Sequence, residues 1–144
     1  MPSQVKRLCT SLLLLSTLAS CAEEIAMRHL VGLEYPPIAA QAQIQGRVVV
    51  KCTLRADGRV QSTEVLTGHP VLSKAARENA SKWTFRRPEG PRPEPVVVTL
   101  TYAFRLEGVC DAPNCTSMFS FDAPDSVTVV TQARHWNPTV PRER

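Results

Sequence analysis

Val96-Val97-Val98-Thr99-Leu100-Thr101-Tyr102-Ala103-Phe104-Arg105-Leu106 is the stretch that decides the fold. Val96, Val98, Leu100, Tyr102, Phe104 and Leu106 alternate with Val97, Thr99, Thr101, Ala103 and Arg105. A period of two is the signature of a strand with one apolar face. Burying the six apolar side chains contributes ~1.5–3 kcal/mol each before the entropy of ordering is counted. The rest of the chain must therefore cover this face.

Upstream, Arg47 to Leu54 alternates in the same way, with Val48, Val50, Cys52 and Leu54 pointing inward. Asp57-Gly58 then signals a hairpin, read as a type I′ turn because that turn needs positive φ. The return strand runs from about Arg59 to Leu66. Its apolar residues Val60 and Val65 lie five apart, an odd separation, so a bulge is expected between them. Two helices are expected around this hairpin. Tyr35-Pro36-Pro37 opens the first and Gly46 closes it, with Ile38 and Ala42 sharing a face and Ala39 and Ala40 nearby. Pro70 opens the second, whose stripe is Leu72, Ala75, Ala76, Ala80 and Trp83. A hairpin followed by a helix and a strand favours the last strand lying beside the first. The expected fold is α+β: a three-stranded antiparallel or mixed sheet, order 2-1-3, with two helices on one face and a C-terminal β-like extension. The long third strand would then be an edge, with unpaired N–H and C=O groups ready to take another strand.

Composition agrees with one small domain. The chain has 144 residues, 43% apolar and 21% charged, with twelve prolines and a formal charge of +4. Residues 47–92 hold ten Lys/Arg and four Asp/Glu. Few aromatics interleave with these charges, so they do not read as a nucleic-acid surface but as a solvated face, or as one that steers an acidic partner. No run of 18 apolar residues is present, so no transmembrane helix is expected.

The N-terminus reads as an address. Lys6 and Arg7 precede the apolar run Leu8–Leu18, followed by Leu18-Ala19-Ser20-Cys21. Charge, a short apolar stretch and small residues are the order of a secretory signal peptide. Leu-Ala-Ser-Cys also resembles the lipobox of bacterial lipoproteins, in which the cysteine is acylated. That resemblance implies lipidation at Cys21 and, with Ala22 following, an outer-membrane anchor in the periplasm. Ordinary cleavage nearby is the alternative. The expected organisation is a signal peptide over 1–21, a short linker over 22–29, a domain over 30–108 and an extension over 109–144. In an oxidising periplasm Cys110 and Cys115 could close a small disulfide loop, while Cys52 on the buried strand face reads as inert core.

No catalytic constellation is visible, so no enzyme and no cofactor are expected. His29, His69 and His135 stand apart from one another and from any cysteine pair at metal spacing. His69 in Gly-His-Pro reads as a helix-start residue, Asp57 as a turn residue, and Ser73 has no neighbouring His/Asp pattern.

From about Leu30 to Gly108 the chain resembles the C-terminal domain of TonB, the periplasmic energy transducer. The matching pieces are Tyr35-Pro36 with Ala39, Gly46-Arg47-Val48 with Val50, and Asp57-Gly58-Arg59-Val60 with Val65. Gly68, Leu72, Ala75-Ala76, Trp83-Thr84-Phe85 and Tyr102-Ala103-Phe104 complete them. The resemblance implies a domain that docks the Ton box of an outer-membrane transporter, or another periplasmic protein. The peptide would add as a strand to the last β-strand, with Val97, Thr99, Thr101, Ala103 and Arg105 along the contact. Leu33, Tyr35 and Pro36 would lie near the peptide. Family members pair through their strands, so a homodimer is a further expectation to test. A complete transducer also has a transmembrane helix and a Pro-rich spacer, which this sequence lacks. A lipid anchor cannot couple to a proton gradient by itself.

The tail adds a competing reading. Ser117 to Phe121 and Val127 to Gln132 are β-like, separated by the turn Asp122-Ala123-Pro124-Asp125. A strand returning after Cys115 would cover the docking edge in cis. The protein would then be a structural or adaptor lipoprotein that uses another surface.

Overall fold

The computed structural model describes residues 25–87, 94–110 and 115–134. Its elements are β1 (Ala26–His29), α1 (Pro37–Gln41), β2 (Gly46–Leu54), β3 (Val60–Thr67), α2 (Pro70–Ala80) and β4 (Thr84–Arg86). β5 (Val96–Cys110), β6 (Met118–Asp122) and β7 (Ser126–Arg134) follow. Ala26–His29 lies within the stretch expected to be a linker, and it pairs with β4 as a separate two-stranded sheet. The signal-peptide and lipobox residues, Cys21 included, lie outside the described residues, as does His135.

The hairpin and the long strand associate as their patterns require. The main sheet has the order β3-β2-β5-β7-β6. Its first three strands carry the expected 2-1-3 order, with Val48 opposite Tyr102 and Val50 opposite Leu100 in an antiparallel ladder. The expectation of three strands is corrected to five, because the tail joins the same sheet. β5, expected at an edge, is therefore internal from Thr101 onward, where it pairs in parallel with β7. Order within the tail follows composition. β7 brings Val127 and Val129 to the core face, and both are fully buried. β6 alternates Phe119 and Phe121 with the exposed Met118, Ser120 and Asp122, a pattern that suits an edge.

The local signals fared unevenly. The bulge between Val60 and Val65 is present: Leu54 pairs with Val60 and Thr53 with Ser62, leaving Gln61 extra. The turn is a correction. Arg55 C=O accepts from Gly58 N–H at 3.0 Å and Arg55 N–H donates to Arg59 C=O at 2.8 Å. Of the loop residues only Gly58 has positive φ, at 84°. This is a three-residue loop with a glycine bulge, not a type I′ turn. Asp57 stabilises it by accepting from Arg59 N–H at 3.0 Å.

α1 also differs from its sequence pattern. It ends at Gln41, and Gln43 takes the left-handed position with φ 53°. Gln43 N–H donates to Ala40 C=O and Ile44 N–H to Ala39 C=O, which closes a Schellman motif before Gly46. Its buried residues are Ala39 and Ala40, whereas Ile38 is exposed. Two small side chains bring the short helix close to the sheet, where it lies over β7.

α2 matches its stripe more closely. Leu72, Ala76, Ala80 and the following Trp83 are buried, and Ala75 is half-buried. His69 caps the helix, its Nδ1 accepting from Val71 N–H at 3.4 Å. Under α2 lies one continuous aromatic row. Trp83 meets Tyr102 at 6.1 Å and Phe121 edge-on at 5.7 Å, and Tyr35 meets Phe104 edge-on at 5.4 Å.

Candidate functional site

Two segments were expected to meet a partner, and the first packs on the second through Tyr35 and Phe104. The first is the entry to α1. Tyr35 is buried, packs edge-on against Phe104 and donates its hydroxyl to Ile44 C=O at 2.6 Å. Burial raises its pKa above the ordinary tyrosine value. Leu33 is half-buried against the core, and Pro36 is the half-buried residue that starts the helix. These side chains anchor the segment and leave little of it facing outward.

The second segment is the flank of β5. Val97, Thr99, Thr101, Ala103 and Arg105 lie on the sheet face opposite the buried row; Val97, Thr99 and Arg105 are exposed, Thr101 and Ala103 half-buried. The direction of the backbone groups decides what this flank can do. Thr101 N–H donates to Asp125 C=O at 2.9 Å, so the odd-numbered residues aim their main-chain groups towards β7. The parallel ladder continues from Thr101–Ser126 to Arg105–Val130 and Leu106–Thr131, then shifts register around Gly108, where φ is 74°. Val97 and Thr99 aim the same way but precede the ladder. Over Thr101–Leu106 the groups that would receive an added strand are held by the chain's own β7.

The connection into this hairpin is closed covalently. Cys110 and Cys115 form a disulfide, as their spacing suggested. Cys52 is buried, and burial pushes its thiol up to about 11, so it stays protonated and unreactive at neutral pH. The neighbouring Tyr102 hydroxyl is raised further, by burial first and by Cys52 second.

Sequence reasoning missed Asn79, which ties the site to the core. Its Nδ2 donates to Val31 C=O at 2.9 Å and Gly32 C=O at 3.1 Å, and its Oδ1 accepts from Tyr102 at 3.0 Å. Trp83 Nε1 donates to the same Val31 carbonyl at 3.3 Å. One amide thus clamps the segment before α1 to α2 and to β5. The signal was available: Asn79 falls seven residues after Leu72, a polar residue on an apolar stripe. Asn79→Ala is expected to cost about 2–3 kcal/mol, because it leaves a buried phenol unpaired and takes a donor from the Gly32 and Val31 carbonyls, of which Val31 keeps only Trp83. Chemical denaturation checks this, and a loss below 0.5 kcal/mol would show that the clamp carries little.

The charges around the site are solvated. Arg47, Arg55, Arg59, Lys74, Arg77, Lys82 and Arg86 are all exposed. Lys51 pairs with Glu64 across β2 and β3 at 3.4 Å, and Arg87 pairs with Glu94. The exposed Lys51–Glu64 pair contributes little to stability. Among the described residues no three of His, Cys, Asp and Glu gather as metal ligands would, and no helix is long and apolar enough to cross a membrane.

The family described as Gram-negative bacterial TonB protein C-terminal matches residues 31–106. No curated protein matches the chain. The family match stops within β5, so β6 and β7 lie beyond it.

Proposed function

Since this chain belongs to the family of Gram-negative bacterial TonB protein C-terminal domains, we propose that it is a periplasmic adaptor whose strand-docking edge is filled in cis by its own C-terminal hairpin. Domains of this family are periplasmic and act through protein contacts in transport, not through catalysis. One observation carries the finer reading: β7 lies in parallel register along β5 from Thr101, with Val127 and Val129 inside the core. A free peptide would have to displace it. Its main-chain hydrogen bonds are worth ~0.5–1.5 kcal/mol each net, against association costs of ~4–15 kcal/mol. A covalently attached strand avoids most of that cost. The occupied edge therefore favours a partner contact elsewhere on the domain.

Val97 and Thr99 support a second reading, in which a transporter's Ton box docks on the stretch of β5 that β7 leaves uncovered. Titration with Ton-box peptides, followed at individual amides, separates the two. The adaptor reading expects Thr101, Ala103 and Arg105 to be exchange-protected without peptide and to stay unshifted with it. Saturable shifts at Val97 and Thr99 alone favour the second reading. Saturable shifts through Arg105, with loss of β7 protection, overturn the first.

The lipobox-like Leu18-Ala19-Ser20-Cys21 supports a membrane anchor at Cys21. Cys21→Ser should then release the protein from the membrane fraction, and unchanged fractionation would remove the anchor from the proposal.

A further inference from the structure

The two-stranded ribbon gathers arginines that nothing in the fold accounts for. β1 lies antiparallel to β4, with Ala26 opposite Arg86 and Met27 opposite Phe85. The register shifts between Met27 and His29, so Arg28 is the extra residue of a bulge. Phe85 is buried and Met27 half-buried, whereas Arg28 and Arg86 are exposed. Their side chains line one open cleft of about 340 Å³, and no other described residue lines it. The ribbon rests on the β2–β3 loop, where Phe85 N–H donates to Gly58 C=O at 2.8 Å and Arg59 bridges to Thr84. That loop and the end of β4 add Arg55, Arg59 and Arg87 to the same end of the molecule.

These cations outnumber their partners. Arg59 has Asp57 at 3.7 Å and Arg87 has Glu94. Among the described residues Arg28, Arg55 and Arg86 have no carboxylate within ion-pair distance. Two like charges beside one cleft repel, and an anion between them reverses the sign of that interaction. The guanidinium is a planar fork of donors that matches phosphate geometry, so two forks lining one cleft suit a phosphate group. The start of the chain says which phosphate. Cys21, the proposed lipid attachment, lies four residues before Ile25 and seven before Arg28. At ~3.3–3.6 Å per residue, the extended chain from Cys21 to Arg28 spans at most about 25 Å. The headgroup layer of one leaflet is roughly 5–7 Å deep. An anchored chain therefore holds its arginine cleft close to membrane phosphates, a proximity that no free anion shares.

We propose that the Arg28–Arg86 cleft docks the phosphate of an anionic lipid headgroup, so that the anchored domain lies against its membrane through the β1–β4 ribbon. Each arginine brought to an anionic surface strengthens binding roughly fivefold, and two together roughly 30-fold. That is enough to orient a chain already tethered, and too little to hold an untethered one firmly. Arg28 lies outside the family-matched residues 31–106, so the cleft needs a residue that the match does not include. The choice of a lipid as the source of the phosphate rests on the anchor proposed at Cys21.

The test separates the cleft from the anchor. A chain of residues 22–144 without acyl groups keeps every described element. Vesicles of phosphatidylglycerol in phosphatidylethanolamine should bind it roughly tenfold or more tightly than vesicles of phosphatidylcholine, read by flotation. Arg28→Glu with Arg86→Glu should remove that preference. Arg47→Glu with Lys74→Glu, an equal change of charge off the ribbon, should keep most of it. All four positions are exposed, so the substitutions leave the core intact. Equal binding to both vesicles, a preference indifferent to the Arg28 and Arg86 pair, or an equal loss from both pairs would overturn the proposal. So would inorganic phosphate that shifts the Arg28 and Arg86 side-chain N–H signals of a chain that ignores anionic vesicles, which would assign the cleft to a free anion. Fractionation of Cys21→Ser reads the anchor by itself. Its release from the membrane without an arginine-dependent vesicle preference sinks only the cleft, whereas unchanged fractionation beside that preference removes the anchor and upholds the docking.

Discussion

Truncation after Gly108 should lower stability by about 3–5 kcal/mol and create an extended-peptide site that the full chain lacks. The deleted residues include Val127 and Val129, each worth ~1.5–3 kcal/mol when fully buried. Phe119 and Phe121 add less because they are half-buried, and the entropy recovered by releasing the tail offsets part of the loss. α1 lies over β7, so the helix loses its floor and Tyr35 is loosened at Phe104. The same cut frees the main-chain groups of Thr101, Ala103 and Arg105. Calorimetry and peptide titration on the truncated and full chains check both halves. Peptide affinity should rise at least tenfold on truncation, and an unchanged affinity would show that the hairpin is not a cover. If the truncated chain fails to fold, Val127→Asp tests the same seat, because a buried carboxylate loosens β7 while keeping the chain intact.

Gly58→Ala should cost about 3 kcal/mol or more, seen as a fall of roughly 10 °C in melting temperature. Two independent effects add. The residue sits at φ 84°, a region that residues with a Cβ rarely occupy. A Cβ built there lies 1.9 Å from the Phe85 carbonyl oxygen. The obstacle is backbone and cannot rotate away. It is also held in place, because Phe85 N–H donates to Gly58 C=O at 2.8 Å. Relief requires β4 to leave the hairpin, which unseats the buried Phe85 and the β1–β4 sheet with it. A loss below 1 kcal/mol would mean that the loop can shift without moving β4.

The two variants probe different kinds of legibility. Gly58 was legible as a turn glycine, but not as the residue against which a distant strand is laid. Positive φ is a local requirement, whereas the approach of Phe85 depends on where the chain returns 27 residues later. Gln43 illustrates the reverse. Gly46 looked like the helix stop because glycine favours the left-handed state. The Schellman bonds to Ala39 and Ala40 instead place Gln43 there, three residues earlier, held by Ile44 packing inward. Asn79 is legible in its spacing, although a stripe of apolar residues alone omits it. Tyr102 shows why that fails: a buried phenol needs a partner, and a polar residue on the facing helix stripe is the place to seek one.

By itself, the sequence determined the units of this protein. Alternation over Arg47–Leu54 and Val96–Leu106 is local and periodic, so it specified two strands and their inward faces. The Gly68-His69-Pro70 break and the apolar stripe after it specified α2, and the five-residue spacing of Val60 and Val65 specified a bulge. The order of β3, β2 and β5 followed, because short connections leave few ways to cover one apolar face. The place of the tail was decided only in the tertiary structure. Both of its strands are short and β-like, and either could have reached the flank of β5. β7 took the inner position, in parallel, because Val127 and Val129 complete the buried row beside Tyr102 and Phe104. β6 was left as the edge. Which strand covers an edge is settled by packing between residues distant in the chain, and local periodicity carries no record of it.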